Sequence, residues 1–227
     1  LAVRNWVGGK SCCMKALGAI LSLLILVNAP VAVWAHDNLA TVVGKVKPAI
    51  VAIASYNPLR QPQAEILGTG FGVANGQLVV TNEHVIRPLL KKGVGLELVI
   101  LVGSGSSPEI RKVQLLEIDE QHDLALLKIE GTGIPALPLR VEREPVAEGT
   151  DIAITGFPLG PMLGLYPATH RGIISALTPN IIPQRNARDL DPVLVRRARF
   201  DVYQLDIVAY PGNSGSPVYL VETGEVI

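Results

Sequence analysis

The segment Pro211–Pro217 reads PGNSGSP and holds Ser214 at its centre. Glycine, asparagine, serine and proline favour tight turns, so a serine in this setting is most often only part of the turn. Two upstream segments change that interpretation, because TNEHV contains His84 and HDLAL contains Asp123. A histidine, an aspartate and a serine therefore follow one another along the chain. We predict that these three side chains meet at one catalytic site.

Each residue type of this set has a defined role in the general Ser-His-Asp template of nucleophilic catalysis. A serine hydroxyl is a weak nucleophile until a base takes its proton, and histidine, which titrates at about pH 6.5 in peptides, can do so near neutral pH. We predict Ser214 as the nucleophile, His84 as the base and Asp123 as the acid that orients the imidazole. The backbone N–H groups of Gly212 and Ser214 are predicted to bind the oxyanion, and a glycine allows the backbone turn that this requires.

The order of the three residues excludes two other classes of serine hydrolase. The nucleophile elbow of α/β-hydrolases reads G-x-S-x-G, but position 216 is a serine and no histidine follows Ser214. The subtilisin order places the acid before the base, and the only aspartate before His84 is Asp37. The order found in this chain is the one used by chymotrypsin.

One amphipathic helix is predicted. Apolar residues recur with helical spacing from Leu39 to Val46, either Asp37 or Asn38 can cap this segment, and Pro48 ends it.

The remainder of the chain consists of short runs rich in β-branched residues, separated by turn residues, which indicates a β-sandwich or β-barrel. The pair Asn75-Gly76 predicts a hairpin turn. A proline-containing interval at 131–149 predicts a linker between two halves. The predicted strands are Ala49–Ser55, Gly70–Val73, Leu78–Thr81, Leu96–Val102, Ile110–Ile118, Leu124–Ile129, Asp151–Thr155, Gly172–Leu177, Val202–Leu205 and Pro217–Val221.

Two glycine-rich segments resemble ligand-binding loops only superficially. The segment Gly68–Gly72 reads GTGFG, but no helix is predicted to follow it, as a dinucleotide-binding fingerprint requires. We predict a strand whose glycines permit close packing. The segment Gly103–Ser107 has no lysine placed to hold a phosphate and is predicted to be a surface loop.

Composition and the remaining histidines exclude several functions. Lys plus Arg and Asp plus Glu both number 20, so the formal net charge is zero and no nucleic-acid partner is predicted. The basic cluster at 196–199 alternates with acidic residues nearby and is interpreted as a solvated loop. His36 and His170 have no further ligands at metal-site spacing, so no metal and no cofactor are expected. His122 is predicted to lie on the surface, pointing away from the side that Asp123 uses.

The N-terminal segment 1–35 is predicted to be a leader with a secretory signal peptide. A basic start at Met14-Lys15 is followed by the apolar run Ala16–Val27 and by the small-residue site Val33–Ala35. Cleavage after Ala35 would give an exported protein, periplasmic or extracellular. The run is shorter than the roughly 20 apolar residues of a membrane span, so no stable span is expected in the mature chain. Both cysteines precede this run, so the mature protein would have no disulfide.

From about Val46 to its last residue the chain resembles the HtrA/Deg branch of trypsin-like serine proteases. Several segments carry this resemblance in the right order, whereas Ser216, where most of the branch has glycine, and the long segment 178–199 depart from it. The matching segments are Val46–Val51, Gly68–Val73, Val80–Val85, Asp123–Lys128, Gly172–Ala176 and Gly212–Gly215.

The resemblance implies an all-β fold of two six-stranded antiparallel barrels with the active site in the cleft between them. The N-terminal barrel, 36–140, would carry His84 and Asp123, and the C-terminal barrel, 141–227, would carry Ser214. It further implies a serine endopeptidase that acts on polypeptides, including unfolded ones in protein quality control, and it is compatible with a homo-oligomer.

The resemblance also places the base of the primary substrate pocket at Val208, with Ala209 and Tyr210 nearby. None of them is an acid, so the pocket is expected to favour small aliphatic side chains. Two alternatives stay open. Glutamyl-endopeptidase-like secreted proteases also use the sequence GNSGSP, and a non-catalytic secreted binding protein could keep the same scaffold.

Relatives of this branch continue beyond the segment that corresponds to Gly224–Ile227. The resemblance therefore implies that the second barrel is incomplete in this chain and that the 227 residues alone are poorly active. A PDZ domain after Ile227 is neither predicted nor excluded.

Overall fold

A computed structural model describes residues 39–91, 95–158, 164–179 and 200–227. Residues Asp37–Ile227 form one compact unit. The predicted signal segment and cleavage site, both cysteines and the basic cluster at 196–199 lie outside the described residues. In the described part of the chain, no helix is both long and apolar enough to cross a bilayer.

The predicted amphipathic helix is confirmed as α1, Leu39–Val46. Val42 and Val46, one turn apart, are its buried residues, as the helical spacing of apolar residues predicts. The short 3₁₀-helix Lys47–Ala49 follows, with Pro48 near its start. The two predicted cap residues lie outside the described part.

A closed antiparallel barrel of six strands forms the first half of the structure, in the order β1-β2-β3-β6-β5-β4. Its interior contains Val51, Ile53, Val79, Ile100 and Leu127, each 0% exposed. Helix α2, Glu83–Lys91, connects β3 and β4. The strands are β1 Ile50–Tyr56, β2 Ala64–Val73, β3 Leu78–Asn82, β4 Glu97–Val102, β5 Glu109–Asp119 and β6 Leu124–Ile129.

The second half is a four-stranded antiparallel sheet in the described residues, with the order β10-β7-β8-β9. Ile152 and Ile174, both 0% exposed, form a hydrophobic cluster on one face of this sheet together with Val146. The prediction of an all-β fold that contains a six-stranded antiparallel barrel is confirmed. The strands are β7 Asp151–Gly156, β8 Ala168–Pro179, β9 Asp201–Asp206 and β10 Val218–Leu220.

The two halves share a hydrophobic cluster. Phe71 of the barrel lies in the same cluster as Ala153, Phe157 and Tyr219 of the second half. The Tyr219 ring is fully buried, and its hydroxyl lies 2.8 Å from Oγ1 of Thr155. Burial raises the pKa of the Tyr219 hydroxyl. This shared core packs β2 of the barrel against β7 and β10 of the second half.

The prediction of a single helix is wrong, because α2 is a second one. Pro88 lies inside it, and proline is disfavoured inside helices. Asn82 directly precedes the helix and is a residue type favoured as an N-cap, but its side chain bonds to Gly215 and Asp123 instead. The Asn75-Gly76 turn is confirmed, since the Gly76 N–H donates to the Val73 carbonyl at 2.9 Å.

Candidate active site

His84 and Asp123 lie in direct contact. The imidazole Nδ1 of His84 is 2.6 Å from the Oδ2 atom of Asp123. The backbone N–H of His84 donates to Oδ1 of the same carboxylate at 2.9 Å, and the Glu83 N–H donates to the Asp123 carbonyl at 3.1 Å. Asp123 therefore caps the start of α2 from another part of the chain and at the same time orients the imidazole. Nε2 of His84 is the nitrogen left for proton transfer.

The backbone at Asp123 explains how one carboxylate reaches both groups. Asp123 has a φ of 57°, in the left-handed region that aspartate and asparagine tolerate better than most residues. The preceding turn is held by Asp119, whose Oδ1 accepts the N–H groups of Gln121 at 3.0 Å and His122 at 3.1 Å. Asp123 therefore follows the turn at 119–122 with its carboxylate directed at the N-terminal residues of α2.

His122 lies on the surface, as predicted. Its Nδ1 is 2.6 Å from Oδ2 of Asp119, and both side chains are exposed by more than 40%. This hydrogen bond lowers the pKa of the Asp119 carboxyl. The reason for the exposure differs from the prediction, because His122 belongs to the turn before β6 and not to a strand. The described residues therefore contain two His-Asp pairs of the same length, and only one of them contacts α2.

The turn around Ser214 is held by two residues of the first barrel. The Thr69 N–H donates to the Ser214 carbonyl at 2.8 Å, and the Gly215 N–H donates to Oδ1 of Asn82 at 2.6 Å. Nδ2 of Asn82 donates to the Asp123 carbonyl at 2.8 Å. One side chain thus joins the turn that carries the predicted acid to the turn that carries the predicted nucleophile. Within the described residues, no hydrogen bond connects Ser214 Oγ directly to His84.

Sequence reasoning did not single out Asn82 or Thr69. Asn82 lies in the segment TNEHV and Thr69 in the segment GTGFG, and both segments were singled out from the sequence. The contacts of these two residues with the Ser214 turn were not predicted. The hydrogen bonds that define the roles join residues 133 and 143 positions apart, respectively. Spacing along the sequence provides no signal for such contacts.

The glycines of GTGFG permit close packing, as predicted. A Cβ at Gly68 would lie 2.9 Å from the Ser214 carbonyl oxygen, and one at Gly72 would lie 2.3 Å from the Pro135 carbonyl oxygen. The segment lies within β2 and not in a loop. Its glycines let the backbone of the barrel approach the Ser214 turn.

Gly215 offers the sharpest test of this close approach. It has a φ of 84°, and a Cβ there would lie 2.0 Å from the Thr69 carbonyl oxygen. We expect Gly215→Ala to lower the free energy of unfolding by about 3 kcal/mol, the sum of left-handed strain and overpacking. Gly149 has a φ of 83°, and a Cβ there would meet nothing within 4 Å, so Gly149→Ala should cost only about 1 kcal/mol. Urea unfolding of the two variants measures the difference, and equal losses would contradict the packing argument.

The turn also leaves two backbone donors for an oxyanion. The Asn213 N–H donates to the Tyr210 carbonyl at 3.0 Å, and the Ser216 N–H donates to the Asn213 carbonyl at 2.9 Å. In the described part of the chain, the N–H groups of Gly212 and Ser214 have no acceptor. Gly212 has a φ of 100°, so a glycine is needed at this position. These are the two donors that the sequence predicts for the oxyanion hole.

The predicted substrate pocket, Val208–Tyr210, is an exposed segment. Val208 is 55% and Tyr210 44% exposed. The ring of His170 lies beside the ring of Tyr210, with centroids 5.6 Å apart. His170 is opposite Ile154 in the sheet, on the face that forms the interior of the second half. Its Nε2 is buried without a hydrogen-bond partner in the described structure. Nothing in the sequence indicates that His170 lies near this segment.

Among the described residues, no three His, Cys, Asp or Glu side chains are grouped closely enough to hold a metal ion.

Comparison with known proteins agrees with this fold. The sequence profile of the family described as Trypsin-like peptidase domain matches residues 68–227. The chain therefore belongs to the trypsin-like peptidase family.

Its relatives are named HtrA and DegP serine proteases. It is 28% identical over 197 residues to serine protease HTRA1 of Xenopus tropicalis, a match that covers 86% of this chain and 38% of the relative. It is 30% identical over 168 residues to a probable periplasmic serine endoprotease, DegP-like, of Pseudomonas fluorescens, covering 74% of this chain and 29% of the relative. The chain thus spans less than two fifths of the length of these relatives.

The solved structure of Deg5 has the same fold. It superposes with a TM-score of 0.59 at 23% identity and covers 83% of this chain and 81% of that one.

Proposed function

We propose that this protein is a serine endopeptidase that cleaves peptide bonds through an acyl-enzyme on Ser214. The observation that carries the proposal is the His84–Asp123 contact, together with the Asn82 side chain that joins Asp123 to the Ser214 turn. A non-catalytic binding protein could use Asp123 as the cap of α2, but it would not need the same carboxylate to orient an imidazole. Membership of the trypsin-like peptidase family supports the same conclusion.

In the proposed mechanism, Ser214 Oγ attacks the carbonyl carbon of the peptide bond while His84 Nε2 takes its proton. Asp123 stabilises the imidazolium that results. The N–H groups of Gly212 and Ser214 bind the oxyanion of the tetrahedral intermediate. His84 then gives the proton to the leaving amine, which leaves an acyl group on Ser214. Water, deprotonated by His84, attacks this ester and restores the free enzyme.

Labelling with a fluorophosphonate tests the proposed function. Purified protein, in the longest native form available, is incubated with the reagent and assayed in parallel for casein cleavage. We expect covalent labelling on Ser214 and cleavage of casein. Casein binding without labelling or cleavage would identify the protein as a binding module on the same scaffold and overturn the proposal.

We further propose that the protein is exported and acts on polypeptides in the periplasm or outside the cell, in protein quality control. The signal-like segment 16–35 supports export, and the DegP-like relatives are named periplasmic. Homo-oligomerisation remains a proposal that rests on the family resemblance alone.

For the primary pocket we propose a preference for small aliphatic side chains, because Val208, Ala209 and Tyr210 offer no acid to a substrate cation. Peptides that differ only at the residue before the cleaved bond test this. We expect kcat/KM for Val, Ala or Leu to exceed that for Lys or Arg by about 10²-fold, since an unpaired charge is costly to bury. Equal rates for Leu and Lys would contradict the assigned pocket.

One observation favours the second candidate, a glutamyl-specific protease. Such an enzyme needs a basic or histidine-lined pocket, and His170, with its unpartnered Nε2, lies beside Tyr210. If this candidate is right, the same peptide panel gives Glu the highest kcat/KM, and His170→Leu removes the preference of Glu over Gln. If aliphatic residues stay preferred in both proteins, the glutamyl candidate is excluded.

A further inference from the structure

Thr69 lies where four segments of the chain meet. It is 0% exposed and belongs to β2 of the first barrel. Its N–H donates to the Ser214 carbonyl at 2.8 Å, and its carbonyl accepts the Thr81 hydroxyl at 2.7 Å. Its own hydroxyl donates to the Gly212 carbonyl at 2.8 Å and accepts the Phe157 N–H at 3.0 Å. Every polar atom of this residue therefore has a partner.

Two of these hydrogen bonds fix peptide groups of the Ser214 turn. The peptide between Gly212 and Asn213 is held at both ends, because its carbonyl accepts from the Thr69 hydroxyl and its N–H donates to the Tyr210 carbonyl. The peptide between Ser214 and Gly215 is also held at both ends, by the Thr69 N–H and the Asn82 side chain. The N–H groups of Gly212 and Ser214 are the two proposed oxyanion donors. The Gly212 N–H belongs to the peptide just before the first of these fixed peptides, and the Ser214 N–H belongs to the peptide between the two.

Rotation of a fixed peptide would change the direction of the N–H groups beside it. Gly212 has a φ of 100° and no Cβ, so its own conformation offers little resistance to such a rotation. The Thr69 hydroxyl restricts this rotation, because it donates to the Gly212 carbonyl and accepts the Phe157 N–H of the second half. A hydroxyl suits this place because it donates and accepts at once.

We propose that Thr69 is a positioning residue for the oxyanion hole, acting through its side-chain hydroxyl. It does not touch the substrate. It holds the Gly212 and Ser214 N–H groups in the direction that binds the transition state. The inference rests on the proposed function, since it concerns the same site.

Two variants with nearly the same shape test the proposal. Thr69→Val keeps the volume and removes the hydroxyl, which leaves the Gly212 carbonyl and the Phe157 N–H unpaired. Thr69→Ser keeps the hydroxyl. We expect the Val variant to lose about 10²-fold in kcat with KM within about threefold, because oxyanion donors act on the transition state more than on bound substrate. We expect the Ser variant to stay within about threefold of wild type in both constants.

A transition-state analogue provides a readout that a purely structural role would not change. A peptide boronate forms a bond from Ser214 Oγ to boron and places a boron-bound oxygen in the oxyanion hole. Its Ki should rise in Thr69→Val by the same factor as kcat falls. Thr155→Val serves as the matched control, since it removes another fully buried threonine hydroxyl, which contacts Thr169 and Tyr219 and, among the described residues, makes no hydrogen bond to the Ser214 turn. It should lower thermal stability comparably and keep kcat and Ki within about threefold.

Several outcomes would overturn the proposal. They are a folded Thr69→Val protein with kcat near wild type, a Ser variant as impaired as the Val variant, and a Thr155→Val variant with the same catalytic loss. If Thr69→Val does not fold, Thr69→Ala takes its place, and failure of both to fold would make Thr69 purely structural. Failure of the proposed function is distinguishable, because then wild-type protein itself would not label with fluorophosphonate.

Discussion

Replacing Ser214 with alanine is expected to lower kcat by a factor on the order of 10⁶, as removal of the serine does in a comparable triad. The variant keeps the backbone donors of Gly212 and residue 214, so a residual rate above that of water should remain. The backbone contact from the Thr69 N–H to the carbonyl of residue 214 does not depend on the side chain, so the turn should keep its structure. Peptide hydrolysis per mole of purified protein measures the loss, and fluorophosphonate labelling of the same sample quantifies any contaminating wild-type enzyme.

Ser216→Ala is the matched control for this prediction. Ser216 lies in the same turn, and its Oγ is buried without a partner within the described residues. Removing that hydroxyl should leave kcat within about threefold and should not lower stability, because no hydrogen bond is lost. Retention of more than about a tenth of wild-type activity by Ser214→Ala would show that another residue is the nucleophile.

The fold was largely predictable from the sequence because its strands are short and locally distinct. In the described part of the chain each strand overlaps a predicted one, and β2, together with β8, differs most in length. It begins at Ala64, whereas the sequence predicts only Gly70–Val73. Its first half pairs with β1 across an irregularity between Ile53 and Ala54, and such a bulge breaks the alternation that sequence reasoning relies on.

Helix α2 was missed because its start is stabilised by tertiary contacts. The first-turn N–H groups of Glu83 and His84 donate to Asp123, which is 39 positions away from His84. The local cap candidate, Asn82, uses its side chain to bond Gly215 and Asp123 instead. Arg87 Nε also donates to Oε1 of the buried Glu83 at 2.8 Å, a contact that supports the helix once it has formed. The proposed catalytic acid is thus part of the reason why the helix that carries the proposed base exists.

The reactive residues of the candidate site were predictable from the sequence, whereas the residues that surround them and hold them in place were not. His84, Asp123 and Ser214 occur in short segments with a recognisable order, which is a local signal. Asn82, Thr69 and His170 take their places from contacts between distant strands, and each residue type is common in β-structure or turns. A buried polar side chain is recognised as important only when its partners are known.

Asp123→Asn is the second prediction with a large effect, and it is the right variant because asparagine also tolerates the left-handed conformation at this position. The carboxylate accepts the His84 backbone N–H at one oxygen and contacts Nδ1 at the other. An amide can replace only one of these acceptors. If it keeps the cap of α2, its NH₂ group faces Nδ1 and favours the wrong tautomer. We therefore expect kcat to fall by about 10⁴-fold with little change in stability.

Asp119→Asn provides the control, because Asp119 contacts His122 at the same 2.6 Å in an exposed pair that does not contact α2. If the geometry of a His-Asp pair alone determined activity, both variants would lose it. If the position of the pair decides, only Asp123→Asn is impaired, and Asp119→Asn stays within about threefold of wild type, since exposed ion pairs contribute little. Full activity of Asp123→Asn at neutral pH would remove Asp123 from the mechanism and leave it as the cap of α2 alone.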